Sequence, residues 1–250
     1  MKPIRAVVFD TDGVLLDSAV FHAAAWKAAF DGCLDAWAAG GTTQRPFDAG
    51  REYRELVDGK PRYDGARAFL SARGIELPPG ERGNAPGCGT VWAVAARKEQ
   101  IFTKNLTSRA VEAFADVRPA LDELKARGVR CAAVSASRHA RALLESAALA
   151  GLFEELVDGE DAARLGLAGK PDPALFLEAA ARLGTVPGDT AVVEDAIAGV
   201  EAGSRGSFGL VVGIDRSPDA RTAASLRAGG ADLVVSDLGA LPAVLRGHTP

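Results

Sequence analysis

Cysteine is scarce in this sequence, and its pattern excludes two kinds of small scaffold. The 250 residues hold three cysteines, Cys33, Cys88 and Cys131. The count is odd and no C-x-x-C occurs, so neither a disulfide framework nor a structural zinc site is expected, and a reducing cytoplasm is the natural setting. Aromatic residues are few, at 6%. Long apolar runs are missing as well. The run from Ile4 to Phe9 that follows Met1-Lys2-Pro3 is cut by Asp10, too short and too charged for a signal peptide, and no stretch is long enough to span a bilayer. An excess of one charge is also absent. The formal net charge is -4 with acids and bases interspersed, so there is no basic block to line a nucleic-acid groove and no acidic tail to recruit a partner. A monomer acting on a small molecule is expected, and any phosphate it binds must be held by a few well-aimed groups.

What is present is the composition of a folded protein, 48% hydrophobic and 25% charged. The length suits one large α/β domain, or a core with a smaller domain attached. Val7-Val8-Phe9 is a short β-rich apolar run that ends in Asp-Thr-Asp-Gly, which predicts a buried strand and then a loop. Similar runs recur at 131–134, 191–193, 210–212 and 233–235, with helical patterns between them at 118–127, 139–148, 173–183 and 196–202. This alternation predicts a Rossmann-like α/β core, a parallel sheet with helices on both faces, whose ligands sit beyond the carboxyl ends of the strands. Asp10, Ser135 and Glu194 each directly follow a predicted strand, so the three share one edge of the sheet.

Between residues 18 and 108 the alternation stops. Helical patterns cover 18–30, 63–72 and 92–106, with a loop-rich stretch at 40–50 and a Pro- and Gly-rich stretch at 77–89 that reads as exposed loop. The reading is a mostly helical domain, 18–108, inserted into a core built from 1–17 and 109–250. The chain leaves the sheet at Leu16 and returns near Val111.

Four segments carry chemistry. In Phe9-Asp10-Thr11-Asp12-Gly13-Val14-Leu15, two carboxylates two residues apart follow a strand. One could coordinate a metal and attack phosphorus while the other moves a proton, or Asp12-Gly13 could simply cap the next helix. Val192-Val193-Glu194-Asp195 adds oxygen ligands for a hard cation, or acids that complement a helix dipole. Together, four acids at one sheet edge would repel strongly unless a cation sat among them. Ser135, with Ser137 nearby, offers a hydroxyl and backbone N–H groups at a helix start, which suits an anion or an ordinary N-cap. Lys170 sits in Gly169-Lys170-Pro171-Asp172-Pro173, between helix breakers that could aim its ammonium at a phosphoryl oxygen, although a solvated loop lysine fits the same segment.

These segments, in this order, resemble the haloacid dehalogenase superfamily of phosphotransferases: D-x-D-G-V at the first strand, Ser after the second, Lys before a helix, and acids after a later strand. The resemblance implies that Asp10 is the nucleophile of an aspartyl-phosphate intermediate and Asp12 the general acid and base. Ser135 and Lys170 would hold the transferring group. Asp195, the Asp10 carboxylate and the Asp12 carbonyl would bind Mg²⁺, with Glu194 assisting. The second Asp of the first motif argues against a dehalogenase. The physics is consistent: a phosphoryl group in flight spreads negative charge over its equatorial oxygens, which a cation and Lys170 would neutralise.

Within that superfamily, Asp17-Ser18 followed by His22 and Trp26 resembles the β-phosphoglucomutase-like subgroup. The Ser18, His22 and Trp26 side chains, spaced by four, share a helix face, which is also the spacing of plain core packing. Gly59-Lys60-Pro61-Arg62 is similar to the subgroup's cap segment, whose Arg grips the non-transferring phosphate. Arg97-Lys98-Glu99 is similar to the segment whose Lys contacts the sugar, and Ser137 and Arg138 occupy positions that help hold the distal phosphate. The chain departs from that pattern in its longer cap loops at 40–50 and 77–89, in lacking the usual Ser before Arg62, and in carrying His139 where Asn is common. The expectation is a sugar-phosphate mutase, hexose 1-phosphate to 6-phosphate, working through a bisphosphate bound between cap and core. A sugar-phosphate phosphatase with the same nucleophile is the alternative, and a non-catalytic regulatory module keeping the fold is the rival from another class.

Overall fold

A computed structural model describes residues 3–38, 44–106, 111–216 and 220–246. Part of the expected loop at 40–50 and the expected domain junction at 108–109 lie outside the described residues. The chain divides into two compact units, one made of Met1–Asp17 and Val111–Pro250, the other of Ser18–Ala110.

In chain order, β1 (Ala6–Asp10) is followed by α1 (Ala19–Asp31), α2 (Leu34–Trp37), α3 (Arg62–Ala72) and α4 (Val91–Leu106) of the second unit. The first unit then resumes with α5 (Val117–Ala126), β2 (Arg130–Val134), α6 (Ala140–Ser146), β3 (Glu155–Val157), α7 (Gly159–Leu165) and α8 (Ala174–Arg182). It ends with β4 (Thr190–Glu194), α9 (Ile197–Arg205), β5 (Leu210–Ile214), α10 (Ala220–Ala228), β6 (Leu233–Val235) and α11 (Leu241–Arg246).

The strands of the first unit form one six-stranded parallel sheet in the order β3-β2-β1-β4-β5-β6. β1, β4 and β5 are buried at every residue rather than at alternate ones, as strands covered on both faces must be. Val8, Val134, Val192 and Val211 pack with Leu175, Phe176 and Ala179 of α8, Val200 of α9 and Leu226 of α10. The chain order reverses between β1 and β4, and that reversal leaves a crevice at the carboxyl ends of the two strands. β1 and β4 are in register with Phe9 beside Val193, so Asp10 and Glu194 follow side by side at this crevice.

Three details differ from the sequence reading. Asp10 and Glu194 are the last residues of their strands rather than the first of the loops. β3 was not anticipated, because a three-residue strand is too short to show a pattern. The predicted helix at 139–148 is shorter, with His139 as the N-cap of α6, so Ser135 lies in a loop ahead of the helix and not at its start.

The second unit is helical around an aromatic core. Phe30 stacks on Phe69 at 3.8 Å between ring centroids and on Trp26 at 4.8 Å, and Phe47 closes on Phe30 at 5.1 Å. Gly65 lets α3 pass close to α1, since a Cβ there would stand 3.2 Å from the Trp26 ring. The segment before the π-helical turn Tyr53–Val57 is tied down by buried charge. Glu52, 4% exposed, accepts from Arg73 Nε and Nη2, each at 2.8 Å, and from the Asp48 amide at 2.9 Å.

The cysteine expectation is corrected here. Cys33 and Cys88 are disulfide-bonded, their Cα atoms 5.4 Å apart across a sequence separation of 55. An odd count permits one pair with a residue left over, and Cys131 is that residue, buried and free. The bond fastens the end of the mostly exposed 77–89 segment to the region after α1. Among the described residues, no helix is long and apolar enough to cross a membrane.

Candidate active site

The loop after β1 is shaped by its own backbone. Leu15 and Leu16 amides donate to the Thr11 carbonyl, at 3.0 and 2.9 Å, and the Gly13 amide donates to Leu16 O at 2.9 Å. The turn needs Gly13 at φ +80°, a region that L side chains rarely adopt. A Cβ on Gly13 would also stand 1.8 Å from Oδ2 of Asp195, so the glycine is what lets the two acid-bearing loops meet. Inside the turn, the Asp12 amide donates to Asp10 Oδ2 at 2.8 Å, which orients the Asp10 carboxylate.

Lys170, whose side chain is fully buried, bridges Asp10 Oδ1 and Glu194 Oε1. Its ammonium also lies 4.9 Å from the Phe176 ring centroid. Burial alone would lower the lysine pKa, but the Asp10 and Glu194 carboxylates outweigh it and hold the ammonium above its usual range. Burial pushes the Asp10 carboxyl well above the ordinary carboxylate range, with Lys170 opposing and Glu194 and Asp12 reinforcing. One ammonium thus faces more acid than it can balance. Glu194 is held further by the Ala196 amide, which donates to Oε2 at 2.8 Å. Gly199 of α9 is needed for this placement, because a Cβ there would fall 1.8 Å from Glu194 Oε1.

Asp10, Glu194 and Asp195 each offer an oxygen within 4.8 Å of the others. An all-carboxylate set of this size, carrying excess negative charge, fits a hard divalent cation. Asp12 does not turn its carboxylate into this set. Its Oδ2 accepts from Ser135 Oγ at 3.1 Å. Ser135 Oγ accepts in turn from the Ser137 amide at 3.1 Å, and Ser137 Oγ accepts from the His139 amide at 3.2 Å. Gly159 lets the β3–α7 connection press against this loop, since its Cβ would lie 2.6 Å from Ala136 O. Arg138 is exposed.

The structure therefore brings together Asp10, Asp12, Ser135, Lys170, Glu194 and Asp195, which the sequence had strung over most of the chain. In the second unit it groups other expected residues. Lys98, 4% exposed, lies 2.9 Å from His22 Nδ1, with its ammonium 4.3 Å from the Phe102 ring centroid and 5.6 Å from that of Trp26. Trp26 is 3% exposed and Ser18 fully buried, so the indole belongs to that unit's core as well as to this group. Arg62 pairs with Glu99 at 3.3 Å. Motif reading missed Gly199, since nothing in the sequence around it marks its close approach to Glu194.

Comparison with known proteins agrees with this geometry. Residues 4–206 match the haloacid dehalogenase-like hydrolase family. The chain is 43% identical over 242 residues to a β-phosphoglucomutase of Mycobacterium bovis, covering 96% of this chain and 92% of that protein. It is 31% identical over 218 residues to the β-phosphoglucomutase of Bacillus subtilis, covering 84% of each. The crystal structure of β-phosphoglucomutase from Clostridium difficile shares the fold, with a TM-score of 0.73 at 21% identity over 95% of this chain and 93% of that one. A paired-aspartate motif after the first strand, a lysine-bridged acid pair and this match over most of the length lead to one conclusion: the chain is an enzyme of the haloacid dehalogenase-like hydrolase family, in its β-phosphoglucomutase-like subgroup.

Proposed function

We propose that the protein is a Mg²⁺-dependent sugar-phosphate mutase that interconverts a hexose 1-phosphate and its 6-phosphate through an aspartyl-phosphate on Asp10. The observation that carries this reading is the Asp10 carboxylate, held at a sheet crevice by Lys170 and the Asp12 amide beside a cation-fitting acid set. The 43% identity to a β-phosphoglucomutase supports it over a generic family activity.

An Asp10 oxygen attacks phosphorus as the bond from phosphorus to the departing sugar oxygen breaks. That oxygen takes the proton of Asp12, whose carboxyl faces the same loop as Ser135. In the second half, the free hydroxyl of a sugar monophosphate, at the position that carries no phosphate, gives its proton to Asp12 and attacks phosphorus, the bond to Asp10 breaks, and the sugar bisphosphate is formed. Mg²⁺ held by Asp10, Glu194 and Asp195, when bound, would neutralise charge building on the phosphoryl oxygens. Lys170 shares that task, and Ser135 with the amides after it positions the group.

In this proposal the unit of Ser18–Ala110 chooses the substrate, with His22, Trp26 and Lys98 for the sugar and Arg62 for the distal phosphate. The enzyme works as a cytoplasmic monomer. One observation favours the phosphatase reading: Arg62 is already engaged by Glu99, so a distal phosphate must displace that carboxylate.

The deciding experiment incubates the protein with β-glucose 1-phosphate and a bisphosphate primer, following glucose 6-phosphate against free phosphate, with and without EDTA. Glucose 6-phosphate formed only with Mg²⁺ supports the mutase. Free phosphate as the main product makes the protein a phosphatase, and activity indifferent to chelation removes the metal.

A further inference from the structure

Arg216 lies two residues past the end of β5, yet its guanidinium serves the loop after β1, with β4 between the two in the sheet. Nε donates to Gly13 O at 3.1 Å and Nη2 to Val14 O at 2.7 Å. Nη1 and Nη2 then grip the two carboxylate oxygens of Asp116, each at 3.0 Å. The Phe114 ring lies under the guanidinium, its centroid 3.8 Å from Cζ. The arginine and aspartate side chains are only 17% and 19% exposed. Asp116 Oδ2 also accepts the Leu238 amide at 2.6 Å, which anchors the far end of the link.

A planar fork is needed for this. One cation meets two successive carbonyls and a bidentate carboxylate at once, which an ammonium cannot do. The site of attachment matters as much as the bonds. Gly13 follows Asp12, and a Cβ built on it would stand 1.8 Å from Oδ2 of Asp195, so the two loops meet there with no room for a side chain. Whatever holds the Gly13 carbonyl therefore also sets the distance between the loop carrying Asp10 and Asp12 and the loop carrying Asp195.

We infer that Arg216 is a positioning residue for the reaction: it clamps the Gly13 and Val14 carbonyls and so fixes the spacing of the acids that receive the cation and the phosphoryl group. This rests on the reading given under Proposed function. The link uses neither Asp10, Lys170 nor Glu194 directly, and its far end is anchored outside the crevice, at Asp116 and Leu238.

The test compares Arg216→Gln and Arg216→Lys with Arg127→Gln in the full chain. Arg127 is a clamp of similar kind in the same unit, donating to Pro242 O at 2.7 Å and pairing with Glu123, but it touches no part of the site. Mg²⁺ affinity is measured by titration calorimetry below each variant's Tm, together with kcat and KM for phosphoryl transfer. Arg216→Gln should weaken Mg²⁺ binding by roughly 10–100-fold, the usual cost of losing a partner that orients metal ligands. It should lower kcat more than it raises KM. Arg216→Lys keeps a positive charge beside Asp116 and should lower Tm less than Arg216→Gln without regaining Mg²⁺ affinity, which keeps the test decisive if the glutamine variant does not fold. Arg127→Gln should lower Tm and leave Mg²⁺ affinity alone. Wild-type Mg²⁺ affinity in Arg216→Lys, or an equal loss in Arg127→Gln, overturns the inference. Wild type that binds Mg²⁺ but transfers no phosphoryl group defeats the proposed function while leaving the Arg216 comparison intact. Wild type that binds no Mg²⁺ defeats both.

Discussion

Gly13 and Asp195 are packed so closely that a single methyl on the glycine would stand 1.8 Å from the carboxylate. Gly13→Ala therefore has to move the loop after β1, the loop after β4, or both, and it also strains a φ of +80°. Displacements of this kind near 1 Å can cost about 100-fold in rate. Steady-state kinetics should show kcat reduced on that scale; a variant within threefold of wild type would mean that the two loops are not rigidly coupled.

Removing the lysine charge tests the electrostatics. Lys170→Met leaves the Asp10 and Glu194 carboxylates buried together without their shared cation. Breaking a buried pair in this way costs about 3–5 kcal/mol. Urea unfolding should register that loss in the absence of Mg²⁺ and a smaller one with Mg²⁺ present. Activity should fall below detection in both, because the phosphoryl group loses its buried counter-charge.

Arg62 separates the two catalytic readings. Arg62→Ala should reduce isomerisation of a hexose 1-phosphate by at least about 10-fold, while hydrolysis of a simple phosphate ester changes little, since only the former needs a second anion site. Equal losses in the two assays would remove Arg62 from phosphate recognition and leave it as the partner of Glu99.

The Glu52–Arg73 pair predicts a pH dependence of stability. The bidentate bond from Arg73 holds the Glu52 carboxyl below its ordinary value of 4.5, with burial opposing and the Asp48 amide assisting. A carboxyl depressed in the folded state binds fewer protons there than in the unfolded chain, so its contribution is complete above pH 4.5 and is lost as pH falls through its lowered folded value. Glu52→Gln should reduce unfolding free energy at neutral pH by on the order of 3 kcal/mol and lower Tm accordingly. It should also flatten the acid limb of a Tm-against-pH curve. Parallel acid limbs in the two proteins would show that the pair does not govern acid unfolding.

Thiol labelling checks the disulfide. In denaturant without reductant, alkylation should modify Cys131 alone; with reductant it should modify all three cysteines. In the native protein Cys131 should label slowly, because burial pushes its thiol up to about 12 and keeps it protonated. Three labels without reductant would show the thiols unpaired.

The acids and the serine of the site were legible because strand ends can be read from short apolar runs, and parallel sheets present their strand ends at one edge; Lys170, in the loop ahead of α8, was legible only from its helix breakers and from the order of the four segments. Fold class followed from the same alternation, with β3 lost because three residues carry no period. Trp26 shows where reading stops. Its spacing from Ser18 and His22 by itself favoured a core face, the resemblance pointed to a binding face, and only packing revealed that the indole stacks on Phe30 while sharing the Lys98 ammonium with Phe102.

The sequence by itself determined which chemical groups were available and which strand ends would carry them, because those depend on local periodicity and residue type. Tertiary structure alone decided that Cys33 meets Cys88, that Lys170 bridges Asp10 and Glu194, and that Arg216 reaches Gly13 across a strand. Each of these pairs is far apart along the chain. Its contact depends on how helices and strands stack, and no pattern confined to neighbouring residues encodes that.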